Sequence, residues 1–536
     1  MLARPRLTDA GTPGGASAEY RLGSYPAEPA RSAVSASSSD SRNVVLGIDI
    51  GTASSKGVLV GIDGSIKRSA VREHRTQSPR SGWFEMSGDL WWEEFVALSR
   101  ELLDGDETVS AVGVSGMGPC VLVTDGDDQP LRPAILYGVD SRAVAQIRSL
   151  TDELGGDEAV QARCGSRLST QAVGPKLRWI AESEPEIFAA SQRLYMPASW
   201  LARKLTGVYV LDHHSASQCT PLYDTTALEW YAPWCAAVAP QLELPPLTWP
   251  GSVVGEVTGG AAAATGLPAG APVIAGTIDA WSEAVSVGAQ QPGDLMLMYG
   301  STMFLINTVT DLVTWPTLWS TVGAFEGTRS LAGGMATSGA ITGWLRDLFA
   351  GSDYAELTEL AAESGTGAQG LLMLPYFAGE RTPVQDPLAR GVIAGLTVGH
   401  GRGDLYRAAL EATAYGVRHN IEVMEQAGAR IDRVVAVGGG TTGRLWTQIV
   451  SDVTGRRQDI RRTTVGASYG AAHLAARAIA DVDIDAWNPV VDVVEPDSAT
   501  AGLHDERYGL YRELYPATRS LVHQLAPRTE GSTAPA

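Results

Sequence analysis

The chain has 536 residues, of which 44% are apolar, and a formal net charge of −19 at pH 7. That length exceeds what one hydrophobic core usually supports, so two domains are expected, and the acidic balance excludes a general nucleic-acid binder, which would carry a basic stripe. Four cysteines (Cys120, Cys164, Cys219 and Cys235) form no CxxC pair, so neither a zinc knot nor a disulfide framework is indicated and a cytoplasmic location fits.

Residues 1–43 are rich in Ser, Ala, Gly and Pro without periodicity and read as a disordered leader; their first stretch lacks the apolar core of a signal peptide. Val44 to Val60 then alternates between strand and turn: an apolar run through Ile50, the small turn Gly51-Thr52-Ala53-Ser54-Ser55, and a second run ending in Val58-Leu59-Val60. Amide N–H groups in such a turn can cradle a phosphate, and Asp49 beside it suits a hydrated Mg²⁺. The plain alternative is a buried hairpin with an incidental turn carboxylate. Trp91, Phe95, Leu98 and Leu102 recur at helical spacing between Ser87 and Gly105, predicting an amphipathic helix with its aromatics in the core.

Val109 to Val114 reads as a buried strand ending in Ser115-Gly116-Met117-Gly118-Pro119, and Leu131 to Arg142 holds another apolar run, ending in Asp140 and Arg142. Pockets form at such strand ends in α/β proteins; a structural ion pair between Asp140 and Arg142 is the other reading. Residues 151–207 look helical, and the adjacent His213 and His214 cannot share a helix face, which argues against a metal site. The strand Pro272 to Ala275 leads through Gly276-Thr277 to Asp279, which either caps the following helix or serves as a general base at its N-terminus.

After a junction at Gln290 to Gly293 the opening theme returns: strand 295–298, the turn Gly300-Ser301-Thr302, and strand 303–306. Two such hairpins, one per half, suit a polyphosphate gripped from both sides of a cleft. A long helix is expected over 402–425, then a strand 433–437 running into Gly438-Gly439-Gly440-Thr441-Thr442-Gly443 and a helix from Arg444. Gly438, Gly440 and Gly443 satisfy dinucleotide-binding spacing, with Asp459 some twenty residues on. The unit comes late and the earlier turns join strand to strand, which argues against a dehydrogenase; the Gly-rich turn also suits adenosine, and a plain tight turn is the other reading.

Together these segments resemble the FGGY carbohydrate kinases, within the actin/Hsp70-like ATPase superfamily. Gly391 to Ala412 is similar to the family's C-terminal signature through Gly391, Gly395, Leu396, Asp404, Leu405, Ala408 and Glu411, and Gly379 to Gly391 upstream is also characteristic. The N-terminal signature is met in part, by Lys176, Trp179 and Glu182. The resemblance implies an α/β fold of two actin-like (ribonuclease H-like) domains, mixed sheets flanked by helices with an ATP/sugar cleft between them. The expected division is 44–290 and 291–515, with 516–536 a frayed tail.

It further implies transfer of the γ-phosphate of ATP to a hydroxyl of a small sugar, by default a ketose such as xylulose, with a related pentulose or polyol as alternatives. Asp279 would be the general base, Asp49 would hold Mg²⁺ through water, and Gly51-Thr52 with Gly300-Ser301-Thr302 would bind phosphates. Gly438, Gly439, Gly440 and Thr441 would hold adenosine; Met117, Gly118, Tyr137, Asp140 and Asp279 would face the sugar. In members resembling xylulose kinases the residue matching Gly118 is His, that matching Ala280 is Asn or similarly polar, and that matching Tyr137 is Trp, so the sugar contacts differ here. The sugar is the expected partner, with neither nucleic acid nor membrane, and a homodimer is compatible with the resemblance. A sugar sensor or chaperone-like ATPase of the same superfamily is the rival reading.

Overall fold

A computed structural model describes residues 43–525, so most of the expected leader and the last eleven residues lie outside the description. Two seven-stranded mixed sheets organise the rest. The first contains β1 (Asn43–Ile50), β2 (Ser54–Gly61), β3 (Ile66–Glu73), β4 (Thr108–Gly116), β5 (Val253–Glu256), β6 (Pro272–Ile274) and the short β7 (Thr277–Ile278). Its order is β5-β6-β4-β1-β2-β3, with β7 pairing β4. The second contains β8 (Asp294–Tyr299), β9 (Met303–Val309), β10 (Trp319–Val322), β11 (Arg329–Met335), β12 (Arg433–Val437), β13 (Gln458–Arg461) and β14 (Val490–Val494), in the order β10-β11-β9-β8-β12-β13-β14.

The echo between the two hairpins extends to whole sheets. β1 and β8 each pair antiparallel with the next strand and parallel with a later one, β4 or β12. Outward from there both sheets run antiparallel, antiparallel on one side (β2, β3; β9, β11) and parallel, antiparallel on the other (β6, β5; β13, β14). β1 is buried along Val44–Ile50, as expected of a central strand with both faces covered.

Helix α1 (Gly88–Leu102) buries Trp91, Phe95, Leu98 and Leu102, and the Ser87 side chain caps it by accepting from Asp89 N at 3.1 Å. Downstream lie α2 (Asp279–Ser286), α3 (Gly339–Leu348), α4 (Arg402–Gln426), α5 (Arg444–Thr454), α6 (Ala467–Ile479) and α7 (Ala501–Leu525). The C-terminal signature does structural work around α4. Gly395 takes φ +88, Asp404 accepts from Gly401 N at 2.8 Å to cap the helix, and Glu411 holds Arg407 and Gly367 N, each at 2.8 Å.

Helix α6, late in the chain, lies on the first sheet. A Cβ on Gly47 of β1 would sit 2.0 Å from the Ser468 carbonyl oxygen, and one on Gly113 of β4 would sit 2.0 Å from that of Ala471. On its other side, a Cβ on Gly470 would sit 1.8 Å from the Ser282 carbonyl oxygen in α2. Glycines and alanines at these positions let backbone approach backbone, which larger side chains would prevent.

Two expectations change. Residues 151–207 are not helical throughout, because Arg193–Tyr195 is a strand paired with Leu122–Thr124. Residues 516–525 belong to α7 rather than to a frayed tail, despite Pro516 inside the helix. The reason is an anchor: Asp386 receives Tyr515 OH at 2.7 Å and faces His523 Nε2 at 2.6 Å. All four cysteines are buried and free, and among the described residues no helix is long and apolar enough to cross a membrane.

Candidate active site

Strand ends converge at one edge of the first sheet. β1 and β4 run parallel with Asp49 opposite Ser115 and Ile50 opposite Gly116, and β7 adds Thr277 opposite Ser115 and Ile278 opposite Gly116. Asp49, the turn at Gly51, Gly118 and Asp279 therefore emerge together at the carboxyl ends of parallel strands, the usual place for a ligand in an open α/β sheet. In the second sheet β8 and β12 are parallel with Met298 opposite Val437. That brings Gly300-Ser301-Thr302 beside Gly438.

The Gly51 turn is closed by Gly51 N donating to Ser54 O at 3.1 Å, and its carbonyl is held by His74 Nε2 at 3.1 Å. Thr52 Oγ1 and Tyr137 OH are 2.9 Å apart, tying this turn to the cavity described below. Gly300 N donates to Thr302 O at 3.1 Å, while Ser338 N and Gly339 N at the start of α3 donate back to Ser301 O and Gly300 O at 2.9 and 3.0 Å. Gly438 takes φ +96, and a Cβ there would lie 2.6 Å from Tyr299 O; one on Gly440 would lie 2.7 Å from the Trp446 ring. At Gly439 and Gly443 a Cβ would have nothing but chain neighbours within 4 Å. Thr441 N and Oγ1 both donate to Gly438 O, at 3.1 and 2.8 Å.

A cavity of about 300 Å³ opens beside Thr302, with Gly118, Tyr137, Asp279, Ala280 and Arg381 also on its wall. Aromatic groups (Trp281, Phe304, Trp319) and polar ones (Ser169, Gln171, Gln218) complete the lining. Asp279 heads α2, and its Oδ1 accepts from Ala280 N at 2.7 Å. Asp49 accepts from Ser115 Oγ at 2.8 Å. Burial holds both carboxyls well above the ordinary carboxylate range, and Asp49 is raised further by the negative charge of Asp279. Glu283, one turn on in α2, is pushed up to about 7 by burial and by Asp279. Lys56 offsets part of this charge on both Asp49 and Glu283.

Two residues expected at the sugar lie elsewhere. Asp140 is committed to Arg142, whose Nη2 is 2.8 Å from its Oδ2, and to Phe84 N at 2.7 Å; both side chains of the pair are 0% exposed. Glu85 and the Trp83 and Trp179 rings enclose the same guanidinium, so the ion pair is structural. Met117 is fully buried in the core of the first sheet, and its N–H serves Ile50 O at 2.8 Å. Gly118 does reach the wall, and a Cβ there would lie 2.7 Å from Ile278 Cγ1. Ile278 thus fills the space a side chain at 118 would take. Asp459, where a ribose-binding carboxylate would stand, is 4% exposed and held by Arg457 at 2.9 Å.

Sequence comparison accounts for this arrangement. The N-terminal domain of the FGGY family of carbohydrate kinases matches residues 44–286 and its C-terminal domain residues 295–479. The chain belongs to the FGGY carbohydrate kinases. This kinase is 28% identical to the xylulose kinase of Staphylococcus epidermidis, over 90% of its own length and 99% of the relative's. It is 30% identical to the glycerol kinase of Brucella anthropi, over 84% and 91% of the two chains. Among solved structures, xylulose kinase from Rhodospirillum rubrum superposes with a TM-score of 0.83 at 33% identity, covering 90% of this kinase and 100% of that chain. The kinase is thus an ATP-dependent phosphotransferase acting on a small sugar.

The aromatic and amide groups of the cavity were not anticipated. Gln171, Gln218, Trp281, Phe304, Trp319 and Arg381 come from six separate segments, and no local pattern marks the first five as cavity residues. Arg381 alone had a signal, lying inside the family stretch Gly379 to Gly391.

Proposed function

We propose that the kinase phosphorylates a ketopentose, with xylulose the first candidate, in the 300 Å³ cavity beside Asp279. The observation that carries this reading is that Asp279 and Thr302 line the same cavity, a general base and a residue of a phosphate-binding turn. The names of the relatives at 28% and 33% identity favour xylulose.

In this mechanism Asp279 accepts the proton of the sugar hydroxyl as that oxygen attacks the γ-phosphorus; the β–γ bridging bond breaks and ADP leaves with its electron pair. A base at the N-terminus of α2 is held in place by the Ala280 N–H, and its raised pKa makes it a better proton acceptor than an exposed carboxylate. The backbone at Gly51-Thr52 and Gly300-Ser301 surrounds the phosphates, and Arg381 adds positive charge from the wall, because phosphoryl transfer depends on positioning and charge neutralisation. Gly438 to Thr441 receives adenosine. The apolar walls Met298, Phe304 and Trp281 keep water from the phosphoryl group.

Asp49 is the residue that would hold Mg²⁺. Among the described residues no cluster of three or more acidic, His or Cys side chains is arranged as direct metal ligands. Burial and the charges of Asp279 and Glu283 disfavour the ionised form of Asp49, and a divalent cation beside it would relieve that repulsion. Few protein oxygens and several retained waters suit Mg²⁺, which would offset phosphate charge there.

The test is ADP production with Mg²⁺ over a panel of ketoses, aldoses and polyols, run beside Asp279→Asn. A ketopentose should stimulate turnover well above background, and the variant should lose roughly 10²- to 10⁴-fold in kcat. Absence of stimulation by any sugar, or equal activity in the variant, refutes the reading.

A further inference from the structure

The two amide side chains on the cavity wall have fixed polarity. His214 is fully buried, and its Nδ1 lies 2.7 Å from the carbonyl oxygen of Val322. A carbonyl only accepts, so Nδ1 carries the hydrogen. Burial drives this ring's pKa down to about 3, so it is neutral and Nε2 is a lone-pair acceptor. Gln218 meets that Nε2 at 2.8 Å and must therefore present its NH₂ group. Its carbonyl oxygen is left as the acceptor for a ligand in the cavity. Gln171 is held in the opposite sense: its Oε1 accepts from Gly138 N at 2.8 Å, which leaves its NH₂ as a donor.

His214 also braces the surrounding wall. Its ring lies over Trp281 with centroids 3.9 Å apart, and Trp281 stands two residues after Asp279. Val322 ends β10, the strand that carries the cavity residues Trp319 and Thr321. One imidazole thus links an amide, an aromatic wall and a strand of the second sheet.

We propose that Gln218 and Gln171 are the hydroxyl-reading pair of the sugar site, one acceptor and one donor, and that His214 is the positioning residue that sets the polarity of Gln218. This inference rests on the kinase reading of the cavity. It commits the sugar to one hydroxyl that donates toward Gln218 and another that accepts from Gln171. A substrate lacking either leaves a half-buried amide unpaired in the filled cavity, the arrangement by which polar sites reject close analogues.

The test uses the full-length enzyme with D-xylulose and D-ribulose, measuring kcat, sugar KM, ATP KM and melting temperature. Sugar binding without ATP is read from quenching of tryptophan fluorescence, since Trp281 and Trp319 line the site. Gln218→Leu should raise the sugar KM roughly 10- to 100-fold while ATP KM stays unchanged, and losing the bond to buried His214 Nε2 should lower the melting temperature. Gln218→Glu, which keeps an acceptor but cannot donate to neutral His214, should raise it less, and it serves if the Leu variant fails to fold. His214→Phe keeps a ring on Trp281 but gives up the bond to Val322 O, so the melting temperature should fall; its effect on sugar KM should shrink in the Gln218→Leu background. An unchanged sugar KM in both Gln218 variants, or a His214→Phe effect undiminished in the double variant, overturns the proposal. Should the wild type bind sugar without phosphorylating it, the kinase reading fails while the binding arm still decides the roles of Gln218 and His214. A wild type that binds no sugar overturns both.

Discussion

The Gly-rich turn at 438–443 offers a test in which four chemically similar substitutions should behave differently. Gly438→Ala places a methyl 2.6 Å from Tyr299 O at a φ of +96. Backbone strain and displacement of the strand end beside Gly300 together should cost roughly 2–4 kcal/mol. Gly440→Ala drives a methyl to 2.7 Å from the Trp446 ring, which cannot swing freely because its Nε1 donates to Thr413 Oγ1 at 2.9 Å. That overpacking should cost about 1–3 kcal/mol. Gly439→Ala and Gly443→Ala meet no atoms beyond their chain neighbours and should leave the melting temperature level or slightly higher. If Gly439 faces adenosine, its methyl occupies space the nucleotide needs, so ATP KM should rise roughly tenfold or more with sugar KM unchanged. The assay is a thermal melt beside a full kinetic matrix. An ATP KM within twofold of wild type for Gly439→Ala would refute adenosine on this turn, and a wild-type melt for Gly438→Ala would refute the close-approach reasoning.

Other outcomes follow from the same geometry. Gly47→Ala, whose methyl would lie 2.0 Å from the Ser468 carbonyl, should lose 3 kcal/mol or more, of the order expected for severe overpacking; a chemical-denaturation midpoint equal to wild type would contradict it. Glu283 has a folded pKa raised from 4.5 to about 7. Its protonated form therefore stabilises the ligand-free fold fully below about pH 4.5, and that contribution disappears as pH rises through about 7. Glu283→Gln should accordingly match wild type at low pH and exceed it by about 3 kcal/mol at pH 8, and a constant difference across the range would count against the carboxyl cluster. Asp386→Asn weakens the anchor shared by Tyr515 and His523, so amide exchange in the last two turns of α7 should speed up while the helix centre stays protected. Unchanged exchange there would show that packing alone holds the helix end.

What could be read from the sequence is what the backbone encodes locally. The hairpin at Val44 to Val60, its echo at 295–306 and the helices over 88–102 and 402–426 each follow from apolar periodicity bounded by small residues. Asp49, Asp279, Thr302 and Gly438 could be singled out because each stands at a strand end, where topology rather than side-chain packing sets the position. The aromatic and amide residues of the pocket wall had no such mark. Gln171 and Gln218 become informative only through Gly138 N and the His214 tautomer, and those contacts span 33 and 4 residues with no repeat to signal them. Asp140 failed for a related reason. A charged pair at a strand end looks alike whether it faces solvent or two tryptophans, and only the packed Trp83 and Trp179 decide it. The C-terminal signature identified the family through residues that cap and pair around α4, away from the chemistry.

The placement of α6 bears on how the polypeptide is made. Val45, Val58, Val60, Ala111 and Ile274 from the first sheet share one apolar cluster with Tyr469, Ala472 and Ala475 of that helix. A nascent chain emerging from the ribosome completes its first sheet by Ile278 but cannot cover this face until the segment ending at Ile479 has been synthesised. For that interval the growing chain shows water an apolar surface, a natural binding site for chaperones and a hazard for aggregation. The same geometry means that a gene cut near the junction at residue 290 would yield a first fragment lacking its own lid. Such fragments should regain solubility only when the second is expressed alongside.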